Sequence, residues 1–294
     1  MQVMPASPRP SPQYLLREHR IAFILAGIAL LAAAALGVDA RAENAPVLAA
    51  AIVLLFGMPH GAFDAELAVR DALWDKAARS LKFIEAYIGV AAFVVLFWSF
   101  FPGEGLCAFL ALSALHFSED WQHELPSASR LVIGAALIGF PALFHQQTVL
   151  EIFAWLVPET DAAFLAAGLH ACALALLPLV AAAFAFHLRD RPLAVLEAAV
   201  VLALALAASP LTFFLVYFCG LHSIRHLFHV RDLLHGRAVR SLFPLALPYA
   251  LAACTAIVGA AAMSFSQPFG GAMLGSLFIG LAALTVPHML LSRD

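Results

Sequence analysis

His222 and His226 stand four residues apart in FLVYFCGLHSIRHLFH, inside a run apolar enough to cross a membrane. On a helix that spacing puts both imidazoles on one face, one turn apart. Ionisable side chains at membrane depth are costly and by default point to function. Two stacked imidazoles with Arg225 beside them are hard to leave unpaired in hydrocarbon, so metal or cofactor binding is the first expectation. His60, in GMPHGAFD, and His116, in LHFSED, are further candidates from two other apolar runs. Pro59 removes a backbone donor and bends a helix while Gly61 admits close approach, so a kink there would aim the His60 ring inward. Asp64 is placed to accept a hydrogen bond from a ring N–H of one of the histidines and to orient it. Taken singly, His60 reads equally well as bonded to a neighbouring carbonyl, and His116, followed by Glu119 and Asp120, as a solvated boundary residue. His288, in TVPHML, is either another polar group of the same cavity or a cap near the membrane surface. Of the remaining histidines, His187 alone also ends a suitable run; His19, His123, His145, His170, His229 and His235 are read as outside any metal site.

The elements that must carry these residues are membrane helices. The chain of 294 residues is 63% hydrophobic and 12% charged, with a mean hydropathy of +0.92, which excludes a water-soluble globular domain. Apolar runs at 20–38, 46–69, 81–101, 105–120, 129–146, 162–188, 193–208, 211–234, 243–264 and 269–291 predict an all-α, polytopic transmembrane bundle of about ten spans. Lys and Arg collect on the cytoplasmic side of short loops, and all of the 16 basic residues except Arg41 fall on one side of this arrangement. Both termini are therefore expected in the cytoplasm, in a multi-pass protein of the cytoplasmic membrane. His60, His116, His222, His226 and His288 then all lie late or central in even-numbered spans, where they can meet at one depth. Residues 1–19, rich in Pro and Ser, read as a disordered leader that stays attached, and 20–294 as a single helical domain. Cys107, Cys172, Cys219 and Cys254 are too widely separated for a zinc ribbon or a disulfide framework and read as small packing residues. A net charge of -3 leaves no basic face for nucleic acid.

Imidazole suits iron, copper, nickel and zinc, and geometry decides among them. Zinc with four protein ligands would be closed and structural, whereas Fe(II) held by imidazoles can keep open positions for oxygen. A redox metal inside a bilayer implies an apolar substrate that arrives through the lipid. The blocks GMPHGAFD, LHFSED, GLHSIRHL and TVPHML, in this order and at this wide spacing, resemble the Brp/Blh family of membrane carotene oxygenases over nearly the whole chain from the second run onward. That resemblance implies an enzyme that uses O2 to cleave beta-carotene at its central 15,15' double bond, giving two molecules of retinal, the chromophore of a rhodopsin. It implies Fe(II) as cofactor and His60, His116, His222 and His226 as its ligands, which are then also the catalytic residues; Asp64 and His288 take supporting roles. The substrate would lie in an apolar tunnel lined by some of the 24 Phe residues.

Two readings of other classes compete with this one. A bis-histidine haem protein carrying electrons predicts axial ligands from two helices at matched depth and a Soret band. A proton-coupled transporter predicts activity without metal or oxygen consumption. A diiron hydroxylase or desaturase needs clustered boxes with adjacent histidine pairs, and the chain contains no such pair.

Overall fold

The computed structural model describes residues 12–38, 41–64, 76–233, 239–264 and 268–291, with the backbone alone described at 12–14, 59–60, 76–80, 239–243, 245 and 291. All regular structure among the described residues is helical. In chain order the helices are α1 (Pro12–Ala35), α2 (Pro46–Ile52), α3 (Lys76–Phe100), α4 (Pro102–Ser118), α5 (Ser127–Gly139), α6 (Pro141–Phe144), α7 (Gln146–Ala154), α8 (Glu159–His187), α9 (Pro192–Ala207), α10 (Pro210–Tyr217), α11 (Ser223–Leu233), α12 (Val239–Ala262) and α13 (Phe269–Leu291). Proline opens several of them, at Pro46, Pro102, Pro141, Pro192 and Pro210. At the first helical position its missing N–H costs nothing, because that donor has no partner within the helix anyway.

Each expected apolar run is helical over nearly all of its described residues, with 65–69 of the second run and 234 of the eighth outside them. Seven stretches among the described residues are long and apolar enough to cross a bilayer: Leu15–Ala35, Pro46–Phe63, Leu81–Phe100, Ser127–Phe144, Glu159–His187, Pro210–Leu233 and Phe269–Leu290. The fourth, seventh and ninth of the ten expected runs are shorter helices, α4, α9 and the Ala246–Ala262 stretch of α12. Large apolar side chains such as Leu96, Phe164 and Phe186 point outward, as a hydrocarbon solvent requires. The core between the helices is built on Leu106, Ile133, Leu137, Leu211, Leu274 and Leu277.

Several local expectations change. α1 begins at Pro12, inside the segment expected to be a disordered leader, whose residues 1–11 lie outside the described residues. The physical reason is a tertiary contact: His19 donates a ring N–H to the carbonyl of Gly220 at 2.9 Å and meets the Phe228 ring edge-on. The connection after the fifth span holds an unexpected helix, α7, which buries Val149, Ile152 and Phe153. Cys107 and Cys172 are exposed rather than packed, while Cys219 and Cys254 are half-buried; an apolar thiol facing lipid loses nothing by it. The second span does not kink simply at Pro59. Its α-helix passes into a π-helical turn, Val53–Gly57, and then a 3-10 helix, Met58–Phe63. The eighth span does something similar, with a π-helical turn at Phe218–His222 between α10 and α11.

Candidate metal centre

Four imidazoles gather at one place in the bundle. The ring centroids of His116 and His222 are 4.7 Å apart, those of His116 and His288 5.2 Å, and those of His226 and His288 5.2 Å. The rings thus form a sequence His222, His116, His288, His226 contributed by α4, the π-turn and α11 of the eighth span, and α13. His116, His222 and His288 are buried and His226 is half-buried. Of the four sequence-predicted ligands the structure brings three together and adds His288; the side chain of His60 lies outside the described residues. His187, the other candidate, instead pairs with Ser129 at 2.9 Å, and His145 and His170 are satisfied by the carbonyls of Leu206 and Ala142.

Two carboxylates hold the rings. Asp64 accepts from Nδ1 of His288 through both oxygens, at 2.8 and 2.9 Å. Asp120, on the turn after α4, stands 3.3 Å from Nδ1 of His222 and accepts a 2.6 Å hydrogen bond from the Tyr217 hydroxyl. A carboxylate on Nδ1 fixes the tautomer and turns the other nitrogen toward a metal. The donor set also fits one chemically. One donor atom from each of Asp64, His226 and His288 lies within 4.8 Å of the other two. Nδ1 of His116 is buried without a hydrogen-bond partner among the described residues, since Glu119 stands 3.6 Å away, too far for one. A buried nitrogen lone pair left in that state is costly, and a metal ion would satisfy it.

Behind His222 sits a charged network that sequence reasoning missed. Glu197 of α9 is fully buried, accepts from Nε of Arg20 at 2.9 Å and from the guanidinium of Arg225. Arg225 also donates to the backbone carbonyl of Asp120 at 2.9 Å, and Arg20 pairs with Glu124. Both terminal nitrogens of Arg225, the cation next to the His222–His226 pair, are therefore engaged. The signal for Glu197 was present: a lone carboxylate in PLAVLEAAVVLALALA is as costly in hydrocarbon as a histidine. The net effect ties α1 and α9 to the segment that carries His222 and His226.

An apolar cavity of 130 Å³ opens beside the rings, lined by residues of α4, α5, α6, α7, α8, α10 and α13. Phe117 and Tyr217 belong both to its wall and to the ring cluster, with centroids 4.9 and 6.3 Å from that of His222.

The comparisons with known proteins bear on the same residues. No solved structure matches the chain. A protein of an uncultured marine bacterium, 66A03, named "Beta-carotene 15,15'-dioxygenase", is 28% identical over 266 residues, covering 83% of this chain and 91% of its own length. The family profile described as beta-carotene 15,15'-dioxygenase matches residues 51–293, a span that holds all four clustered histidines and both orienting carboxylates. By that match the chain belongs to the beta-carotene 15,15'-dioxygenase family of enzymes.

Proposed function

We propose that this protein cleaves beta-carotene at the central 15,15' double bond with molecular oxygen, releasing two molecules of retinal, and that Fe(II) held by His60, His116, His222 and His226 is its cofactor. The observation that carries the reading is the junction of the apolar cavity with the imidazole cluster through Phe117 and Tyr217. A hydrocarbon polyene offers no polar group to grasp, so it must be positioned by shape and by an apolar wall. The 130 Å³ cavity is smaller than the roughly 300–1,000 Å³ of ordinary ligand pockets. It suits one arm of a long substrate whose centre lies at the rings and whose other arm continues past them. Bound iron would supply the activation of oxygen. The chain itself contributes orientation and dryness: Asp120 turns His222, Asp64 turns His288, and the phenyl walls exclude water. No side chain is assigned to proton transfer.

The same reading places about ten spans in the cytoplasmic membrane with both termini in the cytoplasm. In support, Arg20, Glu124, Glu197 and Arg225 meet at one end of the bundle, the end to which the basic residues of the sequence assign the cytoplasm. Substrate then enters from the bilayer, and the aldehydes return to it, where a rhodopsin could take up retinal. The test is expression in a bacterium that accumulates beta-carotene. Loss of orange colour with stoichiometric retinal is expected; colour retained in cells whose membranes contain the folded protein would refute it.

A further inference from the structure

His288 lies outside the set of four ligands that the motifs imply, yet its ring sits between two members of that set. Its centroid is 5.2 Å from those of both His116 and His226, with interplanar angles of 85° and 72°. Histidines outside the cluster show what a merely structural imidazole does here. Half-buried His19, His145 and His170 each use a ring nitrogen on a backbone carbonyl, of Gly220, Leu206 and Ala142 respectively, and buried His187 uses one on the Ser129 hydroxyl. His288 instead has a carboxylate, Asp64, that is 2% exposed and turns both oxygens to its Nδ1. Burying a carboxylate is expensive, and the product of that expense is a defined ring: Nδ1 keeps the proton, and Nε2 is the basic nitrogen.

We infer that His288 is itself a metal ligand through Nε2, held in register by Asp64, so that the last helix closes the centre. The inference rests on the metal site of the proposed function and enlarges it. It assigns Asp64 as a positioning residue, on the metal-distant side of the ring. It also gives the closing TVPHML block a chemical reason: the block carries a ligand, directly after Pro287, as His60 directly follows Pro59 in sequence.

The experiment uses the full chain, purified in detergent and stripped of metal, with Co(II) as the probe. Cobalt binds nitrogen sites more tightly than ferrous iron and reports its ligands in the visible spectrum. In His288→Gln and His288→Ala, Co(II) affinity is expected to fall at least tenfold and the visible bands to change in position and intensity. Asp64→Asn keeps an oxygen that accepts from Nδ1, so its bands are expected to retain the wild-type shape while affinity falls by a smaller factor. X-ray absorption of the wild-type cobalt protein should count one more imidazole than that of His288→Gln, which keeps the test decisive if the alanine variant does not fold. Wild-type affinity and bands in both His288 variants would overturn the inference and leave the four-histidine site standing. Altered bands in Asp64→Asn with unaltered bands in His288→Gln would overturn it in favour of carboxylate ligation. A wild-type protein that takes up no cobalt would overturn it together with the metal site.

Discussion

Gly134→Ala should damage the centre without touching it. Gly134 lies on α5 where that helix crosses α4, and a Cβ there would stand 2.2 Å from the carbonyl oxygen of Ala114, 3.0 Å from the Ser118 Cβ and 3.1 Å from the Ser118 nitrogen. Two of these atoms are backbone, so no side chain can swing aside, and the helices must separate by about 1 Å to restore ordinary contact. The turn forced outward is the one that carries His116, between Ala114 and Ser118. Overpacking of this kind costs about 1–3 kcal/mol, and a displacement of about 1 Å at a reacting centre costs on the order of 100-fold in rate. Gly168→Ala is the control, because a Cβ there meets nothing within 4 Å. It removes a flexible residue from the interior of α8 and should stabilise by about 0.5–1 kcal/mol. Thermal unfolding in detergent and the initial rate of carotene bleaching are the assays. A Gly134→Ala protein with wild-type unfolding temperature and rate would show that α4 is not held by this crossing, and the reasoning would fail.

Three further outcomes follow from the site. Glu197→Leu leaves the buried Arg225 guanidinium without its carboxylate and should cost about 3–5 kcal/mol, read as a lowered unfolding midpoint; an unchanged midpoint would mean that Glu197 carries no such load. Asp120→Asn weakens the orientation of His222 and should lower metal affinity by about 10- to 100-fold with little change in unfolding temperature, measured by cobalt titration; undiminished affinity would remove Asp120 from the site. His222→Ala should abolish retinal formation in carotene-accumulating cells, whereas His145→Ala, which loses only a bond to Leu206, should retain it. Activity surviving in the first variant would refute the ligand assignment.

The helical runs were legible because hydrocarbon demands uninterrupted apolar stretches, and the described part of every expected run is mainly helical. α7 was not, since a nine-residue helix between spans is set by what it packs on rather than by its own length. Within the centre, His116, His222 and His226 could be proposed from sequence because each breaks an apolar run. Asp64 could be proposed as an orienting carboxylate too, but which ring each carboxylate serves could not. Asp64 lies four residues from His60 in sequence, yet it bonds His288 across 224 residues. Asp120 looked like half of an acidic boundary pair and instead serves His222 and Tyr217. Hydropathy locates a costly residue in depth but carries nothing about which distant helix pays it back with a hydrogen bond.

Nor does the spacing of His222 and His226 settle where each ring points. On an α-helix they share one face, and here both follow the π-helical turn that ends at His222. The extra residue of that turn rotates the pair together by roughly 100° relative to α10. One turn apart on that face, His222 packs on His116 and His226 on His288. The second span carries the matching irregularity just before His60. The two π-turns approach so closely that a Cβ at Gly57 would lie 2.4 Å from the Phe218 ring. Each turn gives up regular i to i+4 bonding at the point where the other needs room. Both spans thus carry a π-turn beside residues of the centre, and π-turns within α-helices are frequent at functional sites.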